Sequence, residues 1–176
     1  MAPGFQRRKD LNNAEYMTCV KRYSEMIFRI AFSYFGNQAD AEDLMQDIFL
    51  KLLKTDQLPE PEDQRRAWLI RVTVNQCHST FRSPFRKRKA WLTDYEWDSF
   101  ADDTAVEDDV TRRHCLYNAV MSLPDKYRIT IHLYYYEDLS VDQIADLLHV
   151  KATTIQTRLA RAREKLKAIL GEDFSE

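Results

Sequence analysis

Apolar residues along this chain recur at the three- and four-residue spacing of helices, and no stretch alternates as a strand would. Tyr23, Met26, Ile27, Ile30, Ala31 and Tyr34 mark a helix that begins near Glu15 and stops at Gly36-Asn37, residues that tolerate positive φ. Asp40 suits the cap of a second helix, with Glu42 and Asp43 in its positive first turn. Its inner stripe is Ala41, Leu44, Met45, Ile48 and Leu52, running to about Lys54. Leu58-Pro59-Glu60-Pro61 reads as a stiff turn, because each proline fixes φ and restricts the residue before it. A third helix is predicted from about Gln64 to Phe81, with Trp68, Leu69, Val72 and Gln76 on or near its inner side.

The periodicity then lapses over Leu92–Asp109 and resumes near Val110. Val110, Tyr117, Val120 and Met121 mark one helix, ended by Leu123-Pro124; Tyr127, Ile131, Tyr134 and Tyr135 mark another over Asp125–Tyr136. Ser140–Leu170 reads as two helices joined by a tight turn. Ser140 and Gln143 form a capping box ahead of Ile144, Ala145, Leu147 and Leu148. Ile155, Leu159, Ala162, Leu166 and Ile169 then lie on one helical face. The pattern predicts an all-α protein of two small helical domains, residues 15–91 and 110–176, joined by a linker at 92–109 and preceded by a loose leader at 1–14. An apolar content of 44% over 176 residues supports packed cores, and only three glycines fits the helical reading.

Around Ile155 and Leu159 the opposite face carries Gln156, Thr157, Ala160 and Arg161, mostly side chains able to read base edges. A polar face in the first turns of a helix that follows another helix is the arrangement of a helix-turn-helix. Spacing alone leaves two readings, a DNA-reading helix or a solvated amphipathic pair. The second helix shows Asp43, Gln46, Asp47 and Leu50 outward, with Phe49 and Leu53 at the margin. That mixture suits protein docking; spacing by itself favours a broad core stripe with solvated acids.

Net charge is −2, so bulk charge announces no nucleic-acid partner, but its distribution is uneven. Arg82, Arg86, Lys87, Arg88 and Lys89 form a run without an acid, and the stretch from Asp94 to Asp109 holds eight acids without a base. Arg65, Arg71, Asn75, His78, Ser79 and Arg82 add cationic and polar groups to the third helix, with Trp68, Phe81, Phe85 and Trp91 interleaved. Cations neutralise phosphates and aromatics stack on unpaired bases, a combination better suited to single-stranded DNA than to a smooth duplex. Arginine and lysine stems lying over a core Trp would look the same. The acidic linker should repel itself into an extended form.

Cys19, Cys77 and Cys115 are odd in number and widely spaced, which speaks against a disulfide framework or zinc site and for a reducing compartment. His78, His114, His132 and His149 are scattered, and no catalytic constellation appears, so neither an enzyme nor a bound metal or cofactor is expected. No segment has the length of a membrane span or the core of a signal peptide, which points to a cytoplasmic protein without direct membrane insertion.

Three stretches occur in order: YSEMIFRIAFSYFGNQADAEDLMQDIFLKLLK, WLIRVTVNQCHSTFR and LPDKYRITIHLYYYEDLSVDQIADLLHVKATTIQTRLARAREKL. Together they resemble a bacterial sigma factor of the extracytoplasmic-function (ECF) group of the sigma-70 family, over roughly residues 16–90 and 108–170. The resemblance implies that 15–91 is region 2 and 110–176 is region 4, and that core RNA polymerase, promoter DNA and an anti-sigma factor are partners. It makes Asp43, Gln46, Asp47, Phe49 and Leu53 polymerase-docking residues. It places Arg65, Arg66, Trp68, Arg71, Asn75, Ser79 and Arg82 on the −10 strand, the Leu58–Arg66 loop taking an extruded base. Lys151, Thr153, Thr154, Gln156, Thr157, Arg158 and Arg161 would meet the −35 duplex. The acidic linker would mimic nucleic acid along the polymerase.

Two departures bear on the reading helix. His149 stands where many members of the group have Gly in the turn. Lys151 occupies the usual cap position without an acceptor, so that Thr153, three residues before Gln156, is an alternative cap. A helix-turn-helix regulator that binds duplex DNA without polymerase, and a sigma-like adaptor, are the competing readings. An operator binder has no need of the acidic docking helix or the basic aromatic helix.

Overall fold

The computed structural model describes residues 13–55, 58–81 and 107–171, all of it built on seven α-helices: α1 Asn13–Phe35, α2 Gln38–Leu53, α3 Glu62–Phe81, α4 Glu107–Met121, α5 Asp125–Tyr135, α6 Val141–Leu148 and α7 Ala152–Leu170. By contacts the chain divides into two units, residues 1–31 with 39–87, and residues 32–38 with 88–176. Among the described residues no helix is long and apolar enough to cross a membrane.

The first unit closes on Ile27, Ile30, Leu44, Ile48, Leu52, Leu69, Ile70 and Val74, each at most 2% exposed. Burying an aliphatic side chain of this size contributes about 1.5–3 kcal/mol. Of the stripes expected on α1 and α2, all but Met26 and Met45, which are half-buried, are buried, and Phe28, Phe32 and Phe49 widen them. On α3 the packed face is Leu69, Ile70, Thr73, Val74 and Cys77, whereas Trp68, Val72 and Gln76, placed inward by spacing, are only half-buried. Thr73 can join this face because its hydroxyl donates to the Leu69 carbonyl at 2.8 Å, so no polar atom is left bare. Burial pushes the Cys77 thiol far above its ordinary range, which makes it an inert core residue. Lys51 of α2 donates to the Gln76 amide of α3, and Arg22 of α1 pairs with Glu62 at the start of α3.

In the second unit α5, α6 and α7 pack around Leu133, Ile144, Ile155, Leu159 and Ala162, with Ala119 and Leu123 from α4 and its end. Arg128 is buried where α4 meets α5. It donates through Nε to the Ser33 carbonyl at 2.6 Å and through Nη1 to the carbonyls of Met121 at 2.9 Å and Leu123 at 3.2 Å, and pairs with Asp125 at 2.9 Å, which satisfies the guanidinium and caps carbonyls at the end of α4. Burial lowers its pKa, opposed by Asp125. Residues 107–109, expected in the linker, are the first residues of α4. An acidic run suits a spacer and the first turn of a helix alike, so charge pattern cannot separate them. The rest of the linker, 92–106, the basic run 82–89 and the leader at 1–12 lie outside the described residues.

Candidate nucleic-acid interface

The capping box expected at Ser140 is present. The Ser140 hydroxyl accepts from the Gln143 amide at 3.2 Å, and the Gln143 side chain accepts from the Ser140 amide at 2.8 Å. This fixes the start of α6, whose Ile144, Ala145, Leu147 and Leu148 are buried. The helix ends with His149 in the left-handed region (φ 55°, ψ 45°). The Val150 amide reaches back to the Ala145 carbonyl at 3.0 Å and that of His149 to Asp146 at 3.4 Å. These are the paired bonds of a Schellman turn, and they hold a side chain where glycine is the easier residue.

The turn also sets the frame of α7. Lys151 is the extended cap residue (φ −72°, ψ 148°), its carbonyl accepts from the Thr154 amide at 2.9 Å, and its side chain makes no cap bond. Thr153 is therefore inside the first turn, not the cap, and its carbonyl accepts from the Thr157 hydroxyl at 2.8 Å. Ile155, Leu159 and Ala162 face the core; the stripe then fades, with Leu166 half-buried and Ile169 54% exposed. Lys151, Thr153, Gln156, Thr157 and Arg161 are exposed and Thr154 and Arg158 half-buried, so all seven candidate duplex contacts reach the surface of one short stretch of helix.

Two features here were not read from the sequence. Arg163 donates through Nε to the Tyr135 hydroxyl of α5 at 2.9 Å. Beside this pair a groove of about 650 Å³ is lined by Leu116, Val120, Ile131, Tyr135 and Leu166 together with Arg163 and Lys167. Exposed Leu116 and Tyr135 are its visible signs in the chain, but only the packing of α4 and α5 against α7 brings them to one groove.

In the first unit, Asp43, Gln46 and Asp47 of α2 are exposed, as are Leu50 at 54% and Leu53 at 41%. Phe49 is not on this face. It is 8% exposed and meets the Tyr16 ring edge-on at a centroid distance of 6.4 Å, so it belongs to the core, and Leu50 takes its place beside the acids. On α3, Arg71, Asn75 and Ser79 are exposed at four-residue steps, which lines them up along one side of the helix. The Ser79 hydroxyl donates to the Gln76 carbonyl at 2.9 Å. Trp68 is half-buried beside this line, whereas Arg66, nine residues before Asn75, is half-buried on the opposite side of the helix. Arg65 is turned back instead. Its Nε donates to the Pro59 carbonyl at 3.3 Å and its guanidinium lies 3.6 Å from Glu60, so it braces the Leu58–Arg66 loop. Arg82 lies outside the described residues.

Known proteins carry the same two units in the same order. The family model described as "Sigma-70 region 2" matches residues 19–89, and "Sigma-70, region 4" matches residues 113–166. The RNA polymerase sigma factor SigV of Bacillus subtilis (strain 168) is 28% identical over 170 residues, covering 96% of this chain and 99% of that one. The ECF RNA polymerase sigma factor EcfG of Rhodopseudomonas palustris (strain TIE-1) is 30% identical over 150 residues, covering 83% of this chain and 80% of its own. Among solved structures, the sigma factor RpoE in complex with the anti-sigma factor NepR from Bartonella quintana superposes with a TM-score of 0.67 at 21% identity, over 90% of this chain and 98% of that one. An α-helical chain with region 2 below residue 90, region 4 above residue 112 and little room for more between them belongs to the ECF group of the sigma-70 family.

Proposed function

We propose that this protein is a promoter-specificity subunit: it binds core RNA polymerase in the cytoplasm and directs initiation through −10 and −35 recognition. One observation carries the reading. The capped α6 and its Schellman turn present an exposed Gln156, Thr157 and Arg161 on α7, in a chain whose α2 also bears an exposed acidic and aliphatic face. The first is what a duplex reader needs; the second has no use in a protein that binds DNA alone.

Residues 15–91 act as region 2, the stretch before α4 as the linker, and α4–α7 as region 4. Asp43, Gln46, Asp47, Leu50 and Leu53 dock on the polymerase, the leucines supplying desolvated contact and the acids steering association. Arg71, Asn75 and Ser79 follow the −10 strand with Trp68 beside them, while Arg65 shapes the loop that accepts an extruded base and Arg66 stands at the loop's end. Extruding a base costs a few kcal/mol, which stacking and hydrogen bonding must offset. On α7, Gln156 and Arg161 read base edges and Lys151, Thr153, Thr154, Thr157 and Arg158 hold the backbone. Structural relatives occur as complexes with the anti-sigma factor NepR and with the cytosolic domain of CnrY, and an anti-sigma factor is accordingly the proposed regulator. No catalytic step belongs to this role.

Run-off transcription with core polymerase on genomic fragments tests it. Core-dependent transcripts from a discrete set of start sites are expected. Tight duplex binding as a dimer without polymerase would support an operator-binding regulator instead, and polymerase binding without transcripts an adaptor.

A further inference from the structure

Between the end of α5 and the capped start of α6 lie four residues, Tyr136 to Leu139, and His132 of α5 gathers this loop. The His132 carbonyl accepts from the Tyr136 amide at 2.9 Å and from the Glu137 amide at 3.3 Å. Its ring stacks on that of Tyr136 at a centroid distance of 5.3 Å, and its Nε2 lies 3.2 Å from Glu137 Oε1. Both members of the pair are buried, His132 at 8% and Glu137 at 4% exposed, although Tyr136 and Asp138 on either side of Glu137 are exposed. A carboxylate only accepts, so the imidazole N–H donates. The next residue, Asp138, sits at φ 53°, in the left-handed region that residues other than glycine adopt at a cost. The Leu139 amide then closes back on the Leu133 carbonyl at 3.1 Å, and Ser140 caps α6.

A strained dihedral persists only where its surroundings over-determine it. Here the neighbouring residue is tied to the core of the unit by its side chain as well as its amide. A buried pair of this kind is a poor source of stability, because desolvating both groups offsets their attraction and apolar residues of similar volume often serve as well. What two leucines cannot supply is direction, since a hydrogen bond admits one geometry and an apolar contact admits several. α6 packs on α7, and both pack on α5, so the course of the loop decides where α7 lies.

We propose that His132 and Glu137 are positioning residues for promoter reading: their buried hydrogen bond fixes the loop that leads from α5 into the helix-turn-helix, and so sets the pose in which α7 meets the duplex, with neither residue touching DNA. This assignment rests on the reading of α7 as the −35 helix.

The test compares Glu137→Gln with the double variant His132→Leu/Glu137→Leu in the full chain reconstituted with core polymerase. The probe is a promoter duplex recovered by selection from randomised DNA, together with its single-base-pair variants. Gln keeps an acceptor oxygen and should bind within about twofold of wild type. The double variant should melt no lower than wild type by calorimetry. It should nevertheless bind the duplex about three- to tenfold more weakly, the share of competent molecules lost with one net hydrogen bond. A double variant that melts lower as well as binding weakly overturns the proposal, because the pair is then merely structural; one that binds like wild type overturns it too. A Gln variant as weak as the double variant overturns the hydrogen bond as the cause. Gln156→Ala in the same assay keeps the two readings apart. With preference lost at one base pair, the −35 helix stands whatever the pair does; a profile identical to wild type overturns both. A last measurement needs no folded variant. In the wild-type protein the His132 ring N–H proton should exchange with water far more slowly than that of exposed His149. Equal exchange overturns the buried bond.

Discussion

The turn between α6 and α7 puts a non-glycine residue in the left-handed region, and His149→Gly measures what that costs. For an L-residue this conformation is unfavourable by roughly 1–2 kcal/mol, with His among the more tolerant types, so about 1 kcal/mol is the strain to be relieved. His149 is exposed, and the two Schellman bonds are made by backbone amides that glycine retains. Glycine is also freer in the unfolded chain, which returns about half of the gain. The net expectation is stabilisation by about 0.5 kcal/mol, or roughly 2–4 °C in the melting of a unit of this size. Calorimetry of the full chain reads it, the transition of α4–α7 being identified as the one that Ser140→Ala lowers. His149→Val should move the same transition the other way and further, because a β-branched residue is a genuine outlier at φ 55°. Should glycine prove neutral or destabilising while valine is tolerated, the turn is not strained and the argument fails.

Ser140→Ala removes the hydroxyl half of the capping box and should cost about 1 kcal/mol, seen in the same calorimetric transition and as faster amide exchange in the first turn of α6. Asp47→Lys reverses charge on the exposed face of α2 and should abolish co-purification with core polymerase; Phe49→Ala, by contrast, should lower stability by about 3–5 kcal/mol as a core truncation, read by chemical denaturation. Asn75→Ala should impair open-complex formation more than closed-complex binding, compared by permanganate footprinting and gel shift; equal loss in both would rule out a melting role.

The parts of the fold legible in the chain are those decided within a few residues. The Ser140–Gln143 box formed as read, because both partners are separated by three positions of one helix. The alternatives at Lys151 and Thr153 were not separable in this way. Which residue becomes the cap depends on the dihedral of His149, and that is set by bonds reaching back into α6. On α3 spacing placed Trp68 and Val72 inward, but nearly every turn of that helix offers an apolar residue, and contact with neighbouring helices selects Ile70, Thr73, Val74 and Cys77. The same holds at the edge of the α2 stripe. Phe49, Leu50 and Leu53 are equally apolar in sequence, and Tyr16 of α1 decides that Phe49 is the one covered.

Sequence by itself determined the helical class, the capped start of α6, the central apolar stripes of α1, α2 and α7 in outline, and the two-part organisation, because periodicity and capping are local signals that survive any packing. It also brought out Gln156, Thr157 and Arg161 as candidate duplex contacts, since they lie opposite a stripe that one helix defines. What only tertiary structure decided is which of several apolar or cationic side chains face each other across elements. Arg65 bracing its own loop and Arg163 held by Tyr135 are pairings of residues 5 to 28 positions apart, formed because the folded chain brings donor and acceptor within hydrogen-bond reach. No spacing rule connects position 135 to position 163; the packing of α5 against α7 does.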